Sequence, residues 1–92
     1  MLESNFGMPI NADASAVLFV GPCEVIGFYV NSTNVGTIVI HDSESTGTNN
    51  AITGTITPAI GWREFPAALS AGLRAVIGGT ALNVTFFIKP IG

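Results

Sequence analysis

Charge is what this chain has least of. Asp, Glu, Lys and Arg together make up 10% of its 92 residues, against about 25% in an average soluble domain. Three Lys and Arg stand against six acids, for a net charge of −3. No basic stripe is available to neutralise phosphates, which argues against nucleic-acid binding. There is one cysteine, Cys23, so neither an internal disulfide nor a multi-cysteine metal centre can form. The single histidine, His41, confines any imidazole chemistry to one place. No apolar run reaches the roughly 20 residues of a membrane-spanning helix, because the most apolar stretch, 16–30, is broken by Gly21, Pro22 and Glu24. The opening "MLESNFGMPINADAS" lacks the basic start and apolar core of a secretory signal. These features predict a chain made in a reducing cytoplasm that meets no membrane.

What the chain does have is apolar content, 48% of residues. A single domain of this length buries only about 60–65% of its unfolded surface. Much apolar surface would stay wet in a lone globule, so packing against copies of itself or a larger partner is the favoured expectation. A monomer with a Thr, Ser, Asn and Gly surface is the alternative.

The apolar positions repeat every two residues. In "LNVTFFIK", Leu82, Val84, Phe86 and Ile88 share one face and Asn83, Thr85, Phe87 and Lys89 the other. "TIVIH" alternates likewise, and "AITGTIT" offers a β-branched face of Thr53, Thr55 and Thr57. "AVLFV" and "EVIGFYV" are more continuously apolar, which predicts strands covered on both faces. "LRAVIG" makes a sixth strand, with Leu73, Ala75 and Ile77 inward and Arg74 outward. Gly, Pro, Asn and Asp cluster between these runs, at "GP", "NSTNVG", "DSESTGTNN", "TPAIGW" and "GGT". Six or seven short strands separated in this way predict an all-β fold, a small antiparallel β-sandwich or jelly-roll-like domain over 15–92. "EFPAALSAG" reads as a loop or single helical turn started by Pro66. Residues 1–14 read as an N-terminal arm whose Leu2, Phe6, Met8 and Ile10 follow neither period and suit docking on a neighbour.

Few residues invite chemistry. His41 and Asp42 open the stretch "HDSESTGTNN", where Ser43, Glu44 and Ser45 could complete a metal site or a hydrolytic triad. The same residue types build turns, and calcium-loop and nucleophile-elbow patterns are missing, so a structural role is expected, with no catalytic residue, metal or cofactor. Cys23 reads as a small core residue. Trp62 and Arg63 are either an interface anchor or a cap on the core. "NST" at 31–33 and "NVT" at 83–85 match the glycan-acceptor pattern and are taken as incidental.

The succession "EVIGFYVNSTNVGTIVIHDSES", "ITGTITPA" and "FPAALSAGLRAVIGGTALNVTFFI" resembles small all-β virion proteins of tailed bacteriophages. The matching positions are Gly36 to Asp42, Thr57 to Ala59, Gly72 to Val76 and Gly79 to Phe86, within residues 24 to 88. The resemblance implies a structural virion protein rather than an enzyme: an oligomeric capsid decoration or cement protein, trimeric by preference, seated on the major capsid protein. A tail or head-fibre accessory protein, or a host-glycan binding module of the same fold, is the alternative.

Overall fold

The computed structural model describes residues 7–47 and 49–91, apart from the side chains at 34, 80 and 81. It is all-β, with two antiparallel layers packed against each other as a small sandwich. The strands are β1 (Met8–Ala12), β2 (Ala16–Val20), β3 (Cys23–Asp42), β4 (Gly61–Leu69) and β5 (Gly72–Pro90). β3 and β5 are 20 and 19 residues long and run side by side through both layers. The first layer has the order β1, β5, β3, β4, built from residues 23–30 of β3 and 84–90 of β5. The second joins residues 37–42 of β3 to 73–78 of β5, with β2 on the far side of β5.

The two long strands turn from one layer into the other through three successive register shifts between Val30 and Thr37. Extra residues in one strand bend a ladder and sharpen its twist, and here they replace the separate turns expected at "NSTNVG" and "GGT". Gly79, with φ 75°, lies in the left-handed region within this bend. The fold closes one core. Phe28, Val30, Val84, Phe86 and Ile88 of the first layer meet Ile38, Ile40, Leu73 and Ala75 of the second, all fully buried.

Alternation along β5 follows the sequence, with Leu82, Val84, Phe86 and Ile88 inward. Along β3 a bulge between Val25 and Gly27 changes the parity. Cys23 and Val25 point inward before it, Phe28 and Val30 after it. "EVIGFYV" is therefore apolar in succession because of the inserted residue, and its other face is open at Glu24 and Tyr29. "AVLFV" is likewise only half covered, since β2 is an edge strand.

Three further expectations are corrected. The first six residues of "EFPAALSAG" belong to β4, where Phe65, Ala67 and Leu69 face the core and Trp62, Glu64, Pro66 and Ala68 face out, and its last three make the turn into β5. An edge strand has a free side on which a proline's missing N–H costs no ladder bond. "AITGTIT" is not a strand but makes isolated bridges, Ile38 to Ile56 and His41 to Ala51. Between them the Ile40 N–H donates to the Thr53 hydroxyl at 3.1 Å, a side chain taking the place of a ladder carbonyl. Within the proposed arm, Met8–Ala12 is a strand paired with Val84–Ile88 of the same chain. Ala12 enters the core and Ile10 packs on it, because unpaired backbone beside β5 is satisfied by this strand. Leu2 and Phe6 lie outside the described residues.

Candidate functional site

The His41–Asp42 pair is built into the scaffold. His41 is buried and its Nδ1 lies 2.9 Å from the Asn49 carbonyl oxygen. A carbonyl can only accept, so Nδ1 carries the proton. The Asp42 carboxylate leaves the end of β3 and caps the turn from β4 into β5. Its Oδ1 accepts the Ala71 and Gly72 N–H groups at 2.8 and 3.3 Å, and its Oδ2 accepts the N–H and hydroxyl of Ser70 at 3.1 and 3.2 Å. Arg74 was expected to point to solvent. It is covered by the 43–47 loop, and its Nε donates to the Gly47 carbonyl at 3.1 Å. Ser43 folds back on Ser45, donating to its carbonyl and accepting its N–H. Cys23 is fully buried, and that burial, followed by the nearby negative charge of Asp42, pushes its thiol pKa up. The bonds of His41, Asp42, Ser43 and Arg74 tie the 43–49 and 70–72 loops to the strands.

The other place where functional side chains gather is the outer face of the first layer. Trp62 on β4 pairs in register with Tyr29 on β3, which pairs with Thr85 on β5. Trp62 and Tyr29 are 50% and 43% exposed. The six-membered ring of the indole covers Gly27: a Cβ there would come within 2.7 Å of it. Only glycine leaves room for this, an aromatic side chain covering a bare stretch of sheet. The Phe87 ring holds the indole from the side, with centroids 5.6 Å apart and planes at 67°. Beside these rings lies an amide cluster. The Asn83 Oδ1 accepts from Asn11 and Asn31 at 2.8 and 2.9 Å. The same two amides donate to the Thr85 hydroxyl at 3.2 and 3.0 Å. On the other flank a shallow depression of about 400 Å³ lies among Glu24, Ile26, Glu64, Pro66 and Lys89.

Of the candidate interface residues, Trp62 and Arg63 sit on β4 and Met8 and Ile10 on β1, the two outer strands of the same layer. Met8 and Ile10 pair with the inward Ile88 and Phe86, whereas Trp62 faces out, so the four do not form one surface. Sequence reading missed the partners of Trp62. The outward set Asn83, Thr85 and Phe87 was visible in the alternation of "LNVTFFIK", but its neighbours on β1, β3 and β4 depend on register, which no local pattern supplies.

Comparison with known protein families, with curated proteins and with solved structures finds no match to this chain.

The Asp42 cap yields a pH prediction. Partial desolvation works to raise the carboxyl pKa, and the N–H groups of Ala71, Ser70 and Gly72 with the Ser70 hydroxyl outweigh it, so the net shift is downward. A carboxyl depressed in the fold contributes stability above its unfolded pKa of about 3.9, and that contribution disappears as pH falls through the lower folded value. Asp42→Asn should destabilise by about 1–2 kcal/mol at pH 7 and by clearly less at pH 2.5. Urea unfolding at both pH values measures this; a gap equal at the two would show that the charge has no part in the cap.

Proposed function

We propose that this chain is a structural virion protein, an oligomeric decoration or cement module that attaches to the major capsid protein and performs no turnover. The observation that carries the reading is apolar surface left uncovered on a closed fold: Val35, Ile52 and Ile60 are exposed singly, and three more side chains gather at one end. The accessible surface, 5120 Å², is close to the roughly 5000 Å² of a compact monomer of this mass, so the sandwich is complete. Yet Met8, Val20 and Ile91 remain 41%, 63% and 51% exposed. They belong to one end: Met8 is paired with Ile88, the Ile91 N–H donates to the Pro22 carbonyl at 3.0 Å, and Gly21 follows Val20. Side chains of this size gain at most about 1.5–3 kcal/mol each on full burial, a contribution toward the cost of association. The resemblance to phage virion proteins supports the same reading, and a threefold arrangement follows from it alone.

Sedimentation equilibrium at micromolar concentration should give a species at least twice the 9.5 kDa of one chain. A Val20→Ser, Ile91→Ser double variant should shift that mass toward the monomer. A wild-type species of 9.5 kDa would overturn the oligomer. Purified particles on which the protein occupies no shell position would overturn the decoration role.

A further inference from the structure

The outer face that carries Trp62, Tyr29, Phe87 and the amide cluster is turned away from the core and lies apart from the Met8, Val20 and Ile91 end. We propose that it is a binding site for a neutral oligosaccharide. A pyranose ring presents two kinds of surface: an apolar face of C–H groups, and a rim of hydroxyls that each donate and accept. The first is matched by aromatic rings held in place, the second by fixed amides and hydroxyls.

Both are present, and both are immobilised before any ligand arrives. The indole is seated over Gly27 and held by Phe87, so stacking on its open side costs little side-chain freedom. Tyr29 extends the platform from the neighbouring strand. Two residues further along β3 and β5, about 6.5–7 Å, the amide cluster begins. Asn11 and Asn31 use their Nδ2 groups on Asn83 Oδ1 and Thr85 Oγ1. That engagement fixes the rotamers and leaves other polar atoms to serve a ligand: the carbonyl oxygens of Asn11 and Asn31, the amide hydrogens of Asn83 and the hydroxyl hydrogen of Thr85. The arrangement also gives "NST" and "NVT" a role, since their asparagines form the centre of the cluster.

Charge selects the class. Trp62, Tyr29, Phe87, Thr85 and the three asparagines are uncharged, on a chain of net charge −3. An uncharged ligand complements them, whereas a polyanion would be repelled. The depression lined by Glu24, Glu64 and Lys89 continues the face past the aromatic rings, where two carboxylates can accept hydroxyl hydrogens from further sugar units and the ammonium can donate to them.

Trp62 is the sole tryptophan, so its emission reports occupancy directly. The full chain is titrated with maltohexaose, cellohexaose and chitohexaose, and with a 20-nucleotide oligothymidylate. At least one hexaose should give a saturable emission change, and the oligothymidylate none. Calorimetry on that hexaose should show affinity falling at least about tenfold in Trp62→Ala and in Tyr29→Ala, the scale of one lost stacking partner. Asn83→Ala should weaken it severalfold, and Glu44→Gln, in the distant 43–47 loop, should leave it unchanged. If Trp62→Ala does not fold, Tyr29→Ala and Asn83→Ala decide. Absence of binding by all three hexaoses at millimolar concentration overturns the site. So does a hexaose affinity indifferent to these substitutions, or binding of oligothymidylate alone. The sedimentation mass is read on the same samples, so loss of the sugar site with the oligomer intact counts against this inference and not against the virion role.

Discussion

Phe86→Ala should lower the unfolding free energy by about 3–5 kcal/mol, the usual cost of emptying a buried phenylalanine site. Phe86 is fully buried on the central strand β5, flanked in register by Ile10 on β1 and Phe28 on β3. Its ring packs against Phe28 with centroids 5.3 Å apart. A domain of this length has about 5–14 kcal/mol in total, so the loss takes a large share of it. At about 4–8 °C per kcal/mol for a small domain, the thermal midpoint should fall by at least about 12 °C. Phe87→Ala is the control: one residue along and on the outer face, it should cost no more than about 1–2 kcal/mol while loosening the indole of Trp62. Thermal melts of both variants followed by circular dichroism measure the difference. Equal losses would mean that the inward and outward faces of β5 have been exchanged.

That contrast was legible in the sequence because β5 keeps an uninterrupted period of two from Leu82 to Ile88. β3 shows what breaks legibility. Its bulge at Val25–Gly27 moves the inward set from Cys23 and Val25 to Phe28 and Val30, so a strand with one open face reads as covered on both. The bends at 31–36 and 78–82 carry turn residues, yet their backbone stays paired, and two expected turns become the corner of the sandwich. β4 was hidden by Pro66, which signals a helix start locally and is tolerated here only because β4 is an edge. The candidate site divides along the same line. Asp42 and His41 are residue types that build turns, and both bond loop backbone, but the burial of His41 depends on the 43–50 segment folding over it, which residue type does not supply. The platform of Trp62, Tyr29 and Phe87 and its amide cluster comes from four strands brought into register. Residue type named one of its members, and tertiary pairing supplied the rest.

The tertiary pairing depends on positions where backbone approaches backbone, and Gly72 is the tightest that is also buried. Its φ of 155° lies at the margin of the region open to glycine. Its N–H donates to Asp42 Oδ1 and its carbonyl accepts the Ser43 N–H at 3.1 Å. A Cβ at this residue would overlap the Phe19 carbonyl oxygen and stand 3.1 Å from the Ser43 carbonyl oxygen. Both obstacles are backbone, and neither can swing aside as a side chain would. Gly72→Val must therefore either take on a strained backbone, which costs about 1–3 kcal/mol, or push β2 away from β5 and break the Val20–Gly72 pairing. Either route also disturbs the Asp42 cap, so a total loss above about 3 kcal/mol is expected. Gly54→Ala provides the comparison: no atom lies within 4 Å of its Cβ position, and its effect should stay within about 1 kcal/mol, on the stabilising side if the backbone conformation admits alanine. Urea midpoints of the two variants test this. A Gly72→Val protein as stable as Gly54→Ala would mean that β2 does not lie against the start of β5, and the closure of the second layer would have to be redrawn.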